Sequence, residues 1–464
     1  MTRAIVVGAG VAGLACALFA ARRGHPVVLV ERDPAGPAGP ADQLFDNWRR
    51  PGLPQARHSH KFLGRSCQVL AEEAPDLLDR LRAAGALAVP ISRFGMLPER
   101  PDEFAIAARR VVYEAVLRRA VAREPGVRLL SGRAARALAS RSRGGVPRVT
   151  GVVLDGGQVL AADLVVDATG RRGRLLRSLP VRPPPPHTQR CGFVYLTRHY
   201  RLRPGRELPT LDRPLAVNLG YGAALAFPAD NGTFSLSLTL SVRDPWRRSL
   251  LRPATWDRFV AAEPHTARWA ERGEPWGRVE VIAGIEDRWQ RLVTGAGDPV
   301  VAGLVLIGDA ALQNNPTYGR GVSLAFAQAQ QVARRLGSAT DDPARWVVEC
   351  DRWTGQHLGI WHRAQTTADA AALAVMEAGL RGEPAPVATD PFARLLAAIE
   401  ALAATDPLVA RALARMAHLL ITPAQLLADR EVVGRATRYL RHHQPEPARS
   451  GGLSRAQFEA IAAA

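Results

Sequence analysis

Seven residues near the N-terminus constrain this chain more than any others: Gly8-Ala9-Gly10-Val11-Ala12-Gly13-Leu14. They follow a short apolar strand, Ala4 to Val7. They open an Ala- and Leu-rich stretch, Ala12 to Arg23, that reads as a helix closed by Gly24. Each glycine in the Gly-x-Gly-x-x-Gly pattern has a separate task. Gly8 permits the tight turn out of the strand, Gly10 lets the backbone approach a diphosphate, and Gly13 lets the helix lie close on the sheet. Val11 and Ala12 start the helix, whose free N–H groups and positive dipole end face the phosphates. A second strand, Pro26 to Val30, ends at Glu31, followed by Arg32. That is where an acidic group meets the hydroxyls of an adenosine ribose.

The pattern alone does not separate FAD from NAD. Two later segments point to FAD. Asp163-Leu164-Val165-Val166-Asp167-Ala168-Thr169-Gly170 is an apolar strand that ends in small residues. It follows an expected hairpin, with strands Val149 to Leu154 and Gln158 to Ala161. Ala168, Thr169 and Gly170 let the chain pass close to a dinucleotide. The second segment is a strand from Val301 to Ile307 that runs into Gly308-Asp309-Ala310. Next come Asn315-Pro316-Thr317-Tyr318-Gly319-Arg320-Gly321-Val322-Ser323 and a helix from Leu324 to Leu336. Strand, acid, glycine-rich loop and helix form a second ligand-binding crossover. The Asp309 carboxylate suits the hydroxyls of a ribityl chain. Pro316, Gly319, Gly321 and Val322 bring backbone N–H groups to an electron-rich ring edge.

These three segments, in this order and at these separations, resemble the FAD-dependent monooxygenase superfamily. Its type is the para-hydroxybenzoate hydroxylase fold, and the nearest branch is the bacterial natural-product epoxidase and hydroxylase group. The likeness covers roughly residues 1 to 340. Pro54-Gln55-Ala56-Arg57-His58-Ser59-His60 also matches that branch. The resemblance implies that Arg57 lies near the ribityl chain or diphosphate. Arg110, with Glu114 and Arg118 at i+4 and i+8, resembles the family's helix start, although Arg109 and Tyr113 stand where the family carries Ser and Leu. The implied fold is α/β: a Rossmann-like FAD-binding domain with an inserted antiparallel β-sheet substrate domain and a C-terminal helical region. The expected boundaries are 1–180 and 296–340 for the FAD-binding domain, 181–295 for the substrate domain, and 341–464 for the helical region.

Inside the insert, Thr233 to Val242 alternates strictly and reads as a half-buried strand. Gly192 to Leu202 and Leu215 to Phe227 read as its neighbours. The family analogy makes this sheet the substrate wall, with an apolar face suited to an apolar or aromatic molecule. Pro183 to Pro186 reads as a stiff linker, and Arg449-Ser450-Gly451-Gly452 as a flexible joint. Ala344 to Leu380 and Asp390 to Leu426 read as helices that pack on the flavin domain or cap its pocket.

Composition removes other classes. Net charge is +18, yet Lys61 is the single lysine and the arginines are dispersed without a basic block. That argues against a nucleic-acid partner. Cys16, Cys67, Cys191 and Cys350 form no Cys-x-x-Cys pair, so buried reduced thiols are expected. His58 and His60 lack a third ligand at a sensible spacing, so no metal is expected. No apolar run reaches membrane-spanning length and no leader pattern is visible, so a cytoplasmic monomer or homodimer is expected.

The implied reaction takes one oxygen atom from O2 into an aromatic ring or alkene. Only one Gly-x-Gly-x-x-Gly is present, so NAD(P)H acts transiently or a separate reductase supplies electrons. Tyr318, His58 and His60 are candidate catalytic side chains, none of them assigned. The alternatives are a prenyl-chain reductase, a redox-neutral cyclase, a halogenase (although the Trp-x-Trp-x-Ile-Pro segment of halogenases is absent) and a non-enzymatic flavin-binding protein.

Overall fold

A computed structural model describes the chain apart from residues 1–2, 35, 37–38, 49, 93–102, 143, 172, 212–213, 387–389 and 444–451. The expected joint at Arg449 to Gly451 lies outside the described residues. Strand β1 (Ala4–Val7) leads through the glycine turn into helix α1 (Val11–Arg22) and strand β2 (Val27–Glu31). Helices α2 (Gly64–Glu73) and α3 (Arg110–Arg123) follow, then strands β3 (Val127–Ser131) and β4 (Leu164–Asp167). The inserted region holds β5 (Phe193–Leu202), β6 (Ala216–Asn218), β7 (Gly222–Pro228) and β8 (Thr233–Ser241). Helices α4 (Pro253–Ala262) and α5 (Pro264–Ala270) then lead to β9 (Gly273–Ile282). The chain returns through β10 (Leu304–Leu306) and α6 (Gly321–Arg335). The rest is helical: α7 (Pro343–His357), α8 (Gly359–Arg381), α9 (Pro391–Leu402) and α10 (Pro407–Ala417). After them come α11 (Pro423–Ala428), α12 (Arg430–His442) and α13 (Arg455–Ala463).

The central sheet runs β10-β4-β1-β2-β3, and every pairing in it is parallel. Helices α1, α3 and α6 pack on one another along this sheet, and the antiparallel sheet of residues 135–141, 148–154 and 159–161 packs against β4 through Val149, Val152 and Leu154. Helix α1 is buried from Val11 to Ala20. Its small residues let it lie tight between the sheet and α3 and α6. A Cβ on Gly13 would sit 1.8 Å from the Gly8 carbonyl oxygen, so only glycine allows this approach.

The insert is a five-stranded antiparallel sheet, ordered β6-β7-β8-β5-β9. β8 is buried along its whole length, which corrects the half-buried expectation. Phe234, Leu236, Leu238 and Leu240 pack on Trp256 of α4, Trp269 of α5 and Phe458 of α13. The opposite face, with Ser235, Ser237 and Thr239, turns inward over the segment His58–His60. The apolar face therefore belongs to an outer core and the hydroxyl-bearing face looks at the cavity, the reverse of the expected arrangement.

Other elements lay outside the sequence reading. Residues 135–141 add a third strand to the expected hairpin, and α4, α5 and β9 were not foreseen. Helix α6 starts earlier than expected, at Gly321 rather than Leu324. Among the described residues no helix is long and apolar enough to cross a membrane. All four cysteines are buried and free.

Candidate cofactor and substrate site

One continuous cavity of about 1170 Å³ runs from the glycine turn to the inserted sheet. Gly8, Gly10, Val11 and Ala12 line its first end, joined by Glu31 and Arg32. Ala168, Thr169 and Gly170 line the adjacent wall. Asp309, Pro316, Gly319, Gly321 and Val322 line the middle, opposite Arg110. Two segments some 300 residues apart in sequence thus face the same space. Gly13 lies behind this lining, packed on Gly8 and Ala168.

The glycines show which backbone contacts are internal and which await a ligand. At Gly8, φ is +102° and a Cβ would meet the Ala168 carbonyl oxygen at 2.5 Å. The protein itself explains that glycine. A Cβ on Gly10 or Gly321 would meet no protein atom within 4 Å. Nothing in the chain explains those two, and both line the cavity. They fit backbone that a bound group approaches closely, one at the N-terminus of α1 and one at the N-terminus of α6.

Glu31 closes β2 with its Oε2 accepting from the Ala9 N–H at 2.6 Å and Oε1 from the Asp33 N–H at 2.9 Å. A carboxylate has about four acceptor sites, so two remain for ribose hydroxyls. Asp309 follows β10 in a short 3-10 turn, and its carboxylate accepts no hydrogen bond from the described residues. Burial raises its pKa, while Arg110 and Arg171 lower it.

Arg57 departs from its expected place. Its Nη2 donates to the Phe45 carbonyl at 2.7 Å, and its guanidinium lies over the Phe45 ring at 4.9 Å. It is outside the cavity lining. Arg50 stands in the cavity instead, held by Asp33 at 2.7 Å and by Glu114, within 3.5 Å of Glu31. No local pattern marks Arg50 in sequence. It reaches the site because α3 presents Glu114, which also accepts from Arg110 Nε at 3.2 Å.

His58 and His60 line the cavity but hold structural partners. His58 Nδ1 is 3.0 Å from Thr197 Oγ1, and His60 Nδ1 is 2.9 Å from the His58 carbonyl oxygen. Burial lowers their pKa values to about 4 and about 3, so both rings are neutral. Tyr318 lines the cavity mouth.

Sequence reasoning missed the support beneath the second loop. Asn315 donates its backbone N–H to Asp287 at 2.7 Å and its Nδ2–H to Asp369 at 2.8 Å. Tyr195 Oη donates to Asn315 Oδ1 at 2.6 Å, and Tyr195 lines the cavity. Burial, with Asp287 close by, pushes the Asp369 carboxyl up to about 7. With Cys191 these carboxylates form the one group of three or more metal-ligating side chains found together among the described residues. Their oxygens are engaged by Asn315 and Gln365.

A family model for FAD-dependent oxidoreductases matches residues 4–178. A protein of Mycobacterium tuberculosis, Rv3254, is 30% identical over 373 residues, spanning 72% of each chain. The chain belongs to the FAD-dependent oxidoreductases. A menaquinone reductase of Mycolicibacterium smegmatis is 29% identical over 363 residues, covering 74% of this oxidoreductase and 78% of that enzyme. Among solved structures, PqsL, a probable FAD-dependent monooxygenase from Pseudomonas aeruginosa, aligns with a TM-score of 0.57 at 18% identity. The alignment covers 81% of this chain and 96% of PqsL. The flavin-dependent brominase Bmp2 aligns with a TM-score of 0.62 at 15% identity, covering 95% of this chain and 100% of its own. This oxidoreductase shares its fold with PqsL and Bmp2.

Proposed function

We propose that this oxidoreductase is a monooxygenase that inserts one oxygen atom, by hydroxylation or epoxidation, into a small apolar or aromatic molecule. NAD(P)H serves as a transient reductant. The observation that carries this reading is the single cavity joining the diphosphate end, at Gly10, to a chamber roofed by the inserted sheet. FAD, when bound, supplies the electron transfer from the reductant and the reaction with O2. The chain's own residues bind and orient. The N-terminus of α1 takes the diphosphate, Glu31 the ribose, and Asp309 the ribityl hydroxyls. The N-terminus of α6, at Gly321, offers N–H groups to the electron-rich edge of the ring.

The chamber sorts its occupant by polarity. Leu225 and Phe227 of β7 give it an apolar flank, while Thr197, Ser237 and Thr239 give it a central hydroxyl stripe. An apolar body carrying a few oxygens matches that pattern. Burial by the sheet keeps bulk water away from the reacting centre.

The menaquinone reductase relative supports a second reading, reduction of a quinone or prenyl chain without oxygen insertion. One experiment separates the two. Purified holoprotein is turned over with NAD(P)H and candidate substrates under ¹⁸O2. Product carrying one labelled oxygen atom supports the monooxygenase. NAD(P)H oxidation that proceeds under argon, with a reduced and unlabelled product, replaces that reading with the reductase. A colourless protein that takes up no FAD would sink both.

A further inference from the structure

On the cavity side of the inserted sheet, paired strands align their side chains in rungs. Leu225 of β7 stands beside Ser237 of β8, and Ser237 beside Thr197 of β5. On the next rung Ala223 stands beside Thr239, and Thr239 beside Tyr195. On the rung at the other side Phe227 stands beside Ser235. The hydroxyls of β8 therefore run along an apolar row on β7.

All but one of the hydroxyls on these rungs bond one another or a neighbour. Ser59 Oγ is 2.8 Å from Ser235 Oγ and 2.7 Å from Ser237 Oγ. Ser237 Oγ is 2.7 Å from Thr197 Oγ1, which is 3.0 Å from His58 Nδ1. Tyr195 Oη is engaged by Asn315 and Thr317 of the second loop. The Thr239 hydroxyl bonds none of the described residues, although Thr239 is 3% exposed and lines the cavity. A buried hydroxyl without a partner costs free energy, and a ligand oxygen at that point removes the cost.

The apolar row is the other half of the site. Ala224 and Ala226 of β7 are fully buried in the outer core, whereas Ala223, Leu225 and Phe227 are half-buried and line the cavity. Val89 and Pro90, from the strand Leu87–Pro90, line the same cavity with Ile91. Leu211 packs on the cluster of Val89, Ala105 and Ala107, which ties that strand to the insert. From Ala223 to Phe227 the row is roughly 13 Å long at about 3.3 Å per residue, the length of an extended chain of about ten methylenes. Among the described residues of the inserted sheet and the strand Leu87–Pro90 that line the cavity, none is charged. Half-buried apolar side chains in such a space gain from an apolar ligand that releases the water against them.

The register gives the site a direction. Thr239 stands at the Ala223 end of the row, on the rung of Tyr195, whose hydroxyl reaches the second loop. We infer that the substrate is a neutral molecule with a carbonyl oxygen at one end and a long hydrocarbon chain, that Thr239 donates to the oxygen beside the second loop, and that the row Ala223, Leu225 and Phe227 takes the chain. The inference rests on the reading of this chamber as the substrate site. A carbonyl fits the lone hydroxyl better than a second hydroxyl does, because two hydroxyls sharing one bond leave a hydrogen unpaired against apolar walls. An ionised head would meet no counter-charge in the roof, and an unpaired buried charge is costly. Thr239 is then a specificity-determining residue that binds the substrate and exchanges no proton or electron.

The test titrates the holoprotein with phenyl alkyl ketones, from acetophenone to decanophenone, and follows the shift of the flavin absorbance. Kd should tighten about three- to fourfold with each added methylene. A Kd independent of chain length, or no binding of any member, overturns the inference. Thr239→Val keeps the shape of the side chain and removes its hydroxyl. It should weaken the ketones about three- to tenfold and should not weaken alkylbenzenes of the same chain length, which lack the oxygen. Ketone binding that is unchanged, or an equal loss in both series, removes Thr239 from the recognition of the oxygen. Leu225→Trp should end the gain per methylene at short chains and spare acetophenone, and an unchanged dependence on chain length overturns the placement along β7. If a variant fails to fold, Thr239→Ala and Leu225→Phe supply the same comparisons. Binding is read without reductant or oxygen turnover, so failure here is distinct from failure of the monooxygenase reading, which the labelled-oxygen experiment decides.

Discussion

The carboxylate of Asp309 faces the cavity and accepts no hydrogen bond from the described residues. It is half-buried and free to accept, which suits the hydroxyl donors a bound cofactor would bring. Asp309→Ala should weaken FAD binding about ten- to a hundred-fold, because a hydrogen bond to a charged group contributes about 1.5–3 kcal/mol. Titration of apoprotein with FAD, followed by flavin fluorescence, measures this, and an unchanged affinity would remove Asp309 from the site. Asp309 was legible in sequence because strand, acid and glycine-rich loop are contiguous. Arg50 was not, because its position depends on Glu114 and Asp33, which come from other elements. Arg57 misled for the same reason: its neighbours in sequence fit the pattern, but the Phe45 carbonyl and ring capture its guanidinium.

At the scale of elements, two buried contacts lock the insert and the second loop to the flavin domain. Arg109, just before α3, pairs with Asp230 in the turn between β7 and β8, with Nη2 to Oδ2 at 2.6 Å and both side chains fully buried. Asp230 also accepts the Arg109 backbone N–H at 2.6 Å, so it anchors the residue just before α3. The Arg109 that departs from the family's serine thus has a structural task. Removing one partner leaves a buried charge, so Asp230→Ala should destabilise the protein by about 3–5 kcal/mol in denaturant unfolding. Beneath the second loop, Asp369 has a pKa raised above its unfolded value. The folded state then binds that proton more tightly, so its contribution is whole below about pH 4. It is lost as pH rises to about 7. Asp369→Asn removes this dependence. Its melting temperature relative to wild type should climb across that window, and a constant difference would contradict the shifted carboxyl.

For the whole molecule, acid sensitivity begins above the carboxylate range. Burial lowers the pKa of His58 to about 4, and of His60 and His199 to about 3. These folded values lie below the unfolded one, so the stability they contribute is present above about pH 6.5 and is lost as pH falls. The melting temperature of the holoprotein should therefore drop between about pH 6.5 and pH 4, and a flat profile there would contradict three neutral buried rings. All three lie where the inserted sheet closes on the N-terminal region, so this seam is one acid-labile part of the molecule, and burial lowers His362 and His418 in the same sense. The sequence by itself determined the glycine turn, the parallel strands around it, the second loop and the helical tail. Each of these is set by neighbours a few residues apart, through steric freedom at glycine and hydrophobic periodicity. Only the tertiary structure decided which face of β8 meets the cavity, since strict alternation gives two faces without saying which one packs outward. It alone brought His418 to Lys61 across 357 positions of the chain, because the pairing of a buried amine with an imidazole is a property of the packed fold and leaves no local pattern in the sequence.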